Sequence, residues 1–139
     1  MSGSGSLLVD TSIAVAFLSG DHPGHELVFG ELSGCDLGLC GHAAFETFSV
    51  LTRLPPPARR TPTVVAGLLE SNFPLTRFLG PDRARDLLRE LAAQGVGGGS
   101  VYDALVGATA VEHTMTLVSR DVRARTTYRA VGADVEMLS

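Results

Sequence analysis

Leu7, Leu8 and Val9 form a wholly apolar run that stops at Asp10, and residues 37–40 form a second run of the same kind. Short, uniformly apolar runs suit strands covered on both faces, as in a parallel sheet. Residues 115–119 and 134–138 read as two further strands. Between them the apolar positions recur at helical spacing, which predicts helices over 11–18, 24–32, 42–54, from Thr61-Pro62 onward, 81–94, 100–112 and 121–130. Strands alternating with helices predict a three-layer α/β/α sandwich with a short central parallel sheet.

Punctuation supports these boundaries. Ser19-Gly20, Ser33-Gly34, Gly95 and Gly132 close helical segments, and Pro55, Pro56 and Pro57 end the third helix, since proline disfavours helical geometry in the residue before it. Pro62 sits in a first turn, where proline is tolerated. In the third helix Phe45, Phe48, Leu51 and Thr52 share one face, predicted to be core, with Glu46 near its edge. Residues 73–79 fit either a strand or an irregular connection.

At 139 residues and 45% hydrophobic content the chain suffices for one domain, expected over 7–139 after a flexible polar lead at 1–6. No apolar run reaches the eighteen or so residues that span a bilayer, and the lead lacks the features of a secretory signal. Cys35 and Cys40 have neither zinc-module spacing nor the density of a disulfide framework. A soluble, cytoplasmic protein is expected.

All 11 basic side chains are arginine, and the formal charge is −4. The missing lysine excludes Schiff-base chemistry and a P-loop. The negative balance argues against nucleic-acid binding by bulk positive charge.

The acids are the remaining candidates for chemistry. Asp10 and Asp121 each stand where a predicted strand gives way to a helix, the edge at which open parallel sheets bind ligands. Asp103 and Glu46, early in their own helices, could face the same crevice. Each has a plain structural role available. Asp10 and Asp121 can cap helices, Ser100-x-x-Asp103 is formally a capping box, and Glu46 can be a solvated helix residue. Four carboxylates meeting without a cation would repel one another. An all-oxygen set favours Mg2+ or Mn2+ over zinc.

The motifs Val9-Asp10-Thr11-Ser12, Glu46 in the helix after the second strand, Tyr102-Asp103-Ala104-Leu105 with Ala108-Thr109-Ala110, and Ser119-Arg120-Asp121 resemble the acidic signature of the PIN domain. Within that family the chain is similar to the VapC branch, the ribonuclease toxins of bacterial toxin-antitoxin pairs. The similarity runs from Leu7 to Leu138 and takes in Tyr128-Arg129-Ala130 and Gly132-x-Asp134-Val135.

The resemblance implies an Mg2+- or Mn2+-dependent endoribonuclease whose acidic cluster is Asp10, Glu46, Asp103 and Asp121, supported by the Ser12 hydroxyl. Asp10 and Asp103 are expected to hold metal directly, and Glu46 and Asp121 directly or through water. It also implies an RNA substrate, a homodimer and a cognate VapB-type antitoxin. Arg53, Arg59, Arg60, Arg120 and Arg123 are the expected phosphate contacts, because the guanidinium fork matches phosphate oxygens. Arg59 and Arg60 could instead meet the antitoxin.

Other side chains carry weaker signals. His22-x-x-His25 lacks a third zinc ligand nearby, His42 reads as a helix-start residue and His113 as a helix-end residue. Ser12, Ser100 and Ser119 have no histidine placed by motif to activate them. Two alternative functions remain: a phosphoacceptor signalling module, which the missing lysine opposes, and a catalytically inert PIN-like protein-binding domain.

Overall fold

A computed structural model describes residues 5–139; the start of the expected polar lead, residues 1–4, lies outside them. Four strands, β1 (Ser6–Val9), β2 (Asp36–Leu39), β3 (Leu117–Ser119) and β4 (Val135–Met137), form one parallel sheet in the order β2-β1-β3-β4. Ser6 pairs with Asp36, so β1 begins within the stretch expected to be a lead.

Leu7, Leu8 and Val9 are buried in succession although consecutive strand residues point to opposite faces. Both faces of the sheet are therefore covered. The cover is α1 (Thr11–Leu18), α2 (His25–Leu32), α3 (Gly41–Thr52), α4 (Pro62–Asn72), α5 (Pro81–Gln94), α6 (Ser100–Glu112) and α7 (Val122–Ala130). None of these helices is long and apolar enough to cross a membrane.

From β1 the chain moves through α1 and α2 to β2 on one side, then crosses through α3, α4, α5 and α6 to β3 on the other. That reversal leaves a crevice beyond the carboxyl ends of β1 and β3, the usual ligand position in open parallel sheets. Val9 pairs with Val118, so the residues following these strands, Asp10 and Asp121, emerge at one edge.

Two sequence expectations change. In α3 the buried face is Gly41, Ala43, Thr47 and Leu51, whereas Phe45 is 69% exposed. Helix α3 packs against α1, α4 and α6. Such crowding selects small inward side chains, and the larger rings lie along the rim. Phe45 instead meets Phe78, with ring centroids 6.4 Å apart.

The 73–79 segment, open between two readings, runs strand-like along the free edge of β2. Leu75 N donates to Leu37 O and Arg77 N to Leu39 O, both at 3.0 Å. Leu39 N donates to the Thr76 hydroxyl, and an isolated parallel bridge joins Cys40 to Arg77. Gly38 permits this approach, since a Cβ there would fall 2.2 Å from the Leu75 carbonyl carbon. The segment thus satisfies an edge that would otherwise expose unpaired backbone groups.

Most core residues pack around the sheet, while Leu87 and Leu91 of α5 form a second cluster with Ala104 and Ala108 of α6. Gly107 lets α7 lie close on α6, because a Cβ there would sit 3.3 Å from the Tyr128 Cα. This contact delivers Tyr128 to the interior beneath the acidic edge. Cys35 and Cys40 are free thiols, and burial raises the pKa of the Cys40 thiol.

Candidate active site

Asp10 closes β1 and caps α1. It is 3% exposed, a placement that would be costly for a carboxylate without partners. Oδ1 accepts from the Ser12 hydroxyl at 2.6 Å and from Ile13 N at 3.2 Å. Oδ2 accepts from the Ser119 hydroxyl at 2.5 Å and from the Tyr128 phenol at 2.8 Å. All four acceptor directions of the carboxylate are thereby filled. Burial still raises its pKa, against the lowering effect of the four donors.

The donors tie the site together. The Ser119 oxygen also accepts from Asp121 N at 2.9 Å, and the Ser12 oxygen accepts from Arg120 N at 2.9 Å. Asp10 therefore staples β1, α1, the end of β3 and α7. Asp121 caps α7 through Oδ1, which accepts from Arg123 N and Ala124 N. Burial and the Asp10 charge raise the Tyr128 pKa, so the phenol remains a donor.

Asp103, in the first turn of α6, is half-buried and held by no side-chain hydrogen bond among the described residues. The sequence-level capping box is not formed: Ser100 lies within the helix, Gly99 precedes it, and no side chain caps it. The Asp103 pKa is raised by burial first, then by the charges of Asp121, Glu46 and Asp10, with Arg123 opposing. The four acids from four separate segments therefore share one electrostatic field. Glu46 lies at its rim, 3.4 Å from His42 Nε2, and His42 stacks on Tyr102 with centroids 4.7 Å apart.

The arginines divide. Arg123 acts on Asp103, and Arg120 packs its guanidinium against Gly24. Arg60 Nη2 donates to Leu18 O at 3.0 Å, and Arg59 Nε to Leu54 O at 2.8 Å. Leu18 ends α1, about 12 Å of helix from its start, so Arg60 is anchored at the end of α1 away from Asp10. Arg53 is exposed at the C-terminus of α3.

Each histidine holds backbone or a ring. His22 Nδ1 accepts from Gly24 N, His25 Nδ1 bonds Ala16 O, and His113 Nε2 bonds Phe78 O. The Ser119 and Tyr128 contacts to Asp10 were not predicted from the sequence. Their signal was the short motif around each, but strand order is needed to see what they meet.

The PIN domain family profile matches residues 7–130. The chain belongs to the PIN domain family. This PIN domain is 43% identical over 129 residues to Ribonuclease VapC27 of Mycobacterium tuberculosis, covering 93% of the chain and 94% of that relative. It is 42% identical over 132 residues to Ribonuclease VapC40 of the same species, covering 94% and 97%.

Solved structures similar in fold include the following two. VapBC2 from Rickettsia felis, bound to a DNA fragment from its promoter, aligns with a TM-score of 0.68 at 14% identity, covering 96% of this chain and 99% of that one. Mycobacterium tuberculosis VapC20, described as a sarcin-ricin loop cleaving toxin, aligns with a TM-score of 0.66 at 16% identity, covering 91% and 95%.

Among the described residues of this PIN domain, no three His, Cys, Asp or Glu side chains converge into a ready-made cage. The donor set suits an ion that retains water. Mg2+ commonly takes one or two carboxylates directly and keeps several waters for substrate phosphate.

Proposed function

We propose that this chain is an Mg2+- or Mn2+-dependent endoribonuclease that hydrolyses RNA phosphodiester bonds, acting in the cytoplasm as the toxin of a toxin-antitoxin pair. The observation that carries the reading is the convergence of Asp10, Glu46 and Asp121 on the field at Asp103, in the crevice where the sheet reverses direction. The similarity to two ribonucleases over nearly the whole chain supports the substrate class. The relation to VapBC structures supports an antitoxin partner, and a homodimer belongs to the same reading.

Asp103, without competing hydrogen bonds, is the side chain best placed to hold a cation directly. Asp10 can join it when one of its four donors turns away. Glu46 and Asp121 then orient water or accept its proton. A bound divalent ion would neutralise the phosphate and lower the pKa of the attacking water. Ser12, Ser119 and Tyr128 hold the Asp10 carboxylate in place, and Arg123 tempers the local negative charge.

The test is cleavage of single-stranded RNA by purified protein with Mg2+ or with EDTA, alongside Asp10→Asn and Asp103→Asn. Metal-dependent cleavage lost in both variants is expected. Persistent cleavage by the double variant would remove the site assignment, and cleavage unaffected by EDTA would remove the metal.

A further inference from the structure

The acidic crevice carries an aromatic wall that the reaction described above does not use. Tyr102, one residue before Asp103, is 52% exposed and stacks nearly parallel on His42, at an interplanar angle of 10°. His42 in turn touches Glu46, so the stacked pair spans two of the four acids. The aromatic surface continues along α3. His42, Phe45 and Phe78 line a cavity of about 240 Å³, and the two phenylalanines are 69% and 55% exposed.

We infer that Tyr102, backed by His42, is a stacking platform for an unpaired nucleobase adjoining the scissile phosphate. The inference rests on the nuclease reading and deepens it by naming a base-binding element. Glu46 acts on Asp103 and lies 3.4 Å from His42, whose ring stacks on Tyr102, so a nucleotide whose phosphate reaches Asp103 brings a neighbouring base to Tyr102. With a net charge of −4 and no lysine, phosphate attraction is weak for an RNA-binding protein. Every base has a π-face, and stacking on an aromatic ring binds single strands independently of charge. The parallel His42 ring holds the Tyr102 ring in one orientation, which reduces the ordering required when a base arrives.

A protein partner would also find exposed rings attractive, but the platform's continuity with Asp103 and Glu46 favours the substrate. Binding distinguishes the two.

The chain has two tyrosines and no tryptophan, and Tyr128 is buried, so Tyr102 is the exposed intrinsic fluorophore. In an Asp103→Asn background, chosen to prevent turnover, a random-sequence single-stranded 12-mer RNA should quench tyrosine emission. A matched abasic ribose-phosphate 12-mer should not. In a filter-binding assay Tyr102→Leu should weaken binding of the random RNA on the order of tenfold and leave abasic binding unchanged. Tyr102→Phe should restore the affinity. Circular dichroism melting checks that each variant is folded.

Equal RNA affinity for Tyr102→Leu and its parent, absence of RNA-dependent quenching, or equal weakening toward both oligomers would overturn the platform. So would unchanged RNA binding with weakened co-purification of a co-expressed antitoxin, which would make the wall a protein-docking surface. Cleavage by Asp103→Asn itself would instead refute the assignment of Asp103 to the site, and absence of metal-dependent cleavage by the parent would refute the nuclease reading, because the platform is read from binding and emission.

Discussion

Replacing Tyr128 by Phe removes one hydroxyl from the interior and leaves the ring that packs beside Gly107. The hydroxyl donates to Asp10 Oδ2 at 2.8 Å, and the phenol is only 3% exposed. A hydrogen bond to a charged group contributes about 1.5–3 kcal/mol. The lower end applies, because Ser119 still donates to the same oxygen. At about 2.1 cal/mol/K per residue, 139 residues give an unfolding entropy near 0.29 kcal/mol/K, so the expected loss of ~1.5 kcal/mol lowers Tm by about 5 °C.

Apo protein in EDTA should be melted by circular dichroism at one fixed concentration, since any self-association shifts Tm. In an Asp10→Asn background the phenol meets a neutral group, and its removal should cost about half as much. Burial raises the Asp10 pKa above its ordinary value. Stability linked to that proton is therefore full below the ordinary carboxylate pKa and lost as pH rises through the folded value. Losing the phenol raises the pKa further, so the gap between parent and Tyr128→Phe should be widest at neutral pH and narrow as Asp10 protonates. A Tm within 1 °C of the parent, or equal losses in both backgrounds, would refute the charge-assisted bond.

Asp103→Asn should raise apo Tm by a degree or two, because the variant loses a carboxylate crowded by three like charges. Mg2+ should reverse the order, and a thermal shift series with and without EDTA reads both. The same substitution should flatten the pH dependence of the apo protein, since stability linked to the raised Asp103 pKa is lost as pH rises through it. Gly38→Ala should destabilise by about 2 kcal/mol or more, measured by urea unfolding, because the new methyl meets Leu75 backbone. Arg60→Met should lower Tm yet leave RNA affinity unchanged in a filter-binding assay. Arg123→Met should weaken RNA affinity in the same assay, because it removes the cation that acts on Asp103.

The sheet was legible because burial on two faces leaves a run with no polar alternation. Leu7-Leu8-Val9 and Leu37 to Cys40 announce strands without any knowledge of their neighbours. The α3 face was right at Leu51 and misled elsewhere, because Phe45, Phe48 and Thr52 match the helical period as well as Ala43 and Thr47 do. Hydrophobicity alone selects the larger set, while close packing against three helices requires the smaller. The edge role of 73–79 depends on carbonyls of Leu37 and Leu39, more than thirty residues away, and on the space at Gly38. At the site, Asp10, Asp121 and Asp103 stood out as strand-end or helix-start positions, and Glu46 as an acid early in its helix. The hydroxyls around Asp10 did not, because Ser119 and Tyr128 reach it only when β3 lies beside β1 and α7 lies close on α6.

That division bears on whether the fold at this edge depends on a cation. A buried carboxylate cluster dependent on metal would couple folding to metal binding, as in zinc-stabilised folds. Here the deepest acid, Asp10, already has four donors from four different positions, so part of the cost of burying its charge is offset by the protein itself. The like-charge repulsion falls on Asp103, which is half-exposed and partly screened by water and Arg123. The apo fold therefore retains the hydrogen-bonded tie at Asp10 across β1, β3 and α7, while the less restrained acids remain available at the crevice. Chelation should consequently abolish cleavage while preserving the circular dichroism spectrum, and metal should be regained without refolding. Loss of helical signal in EDTA would show that a cation, rather than the Asp10 hydroxyl network, holds this edge together.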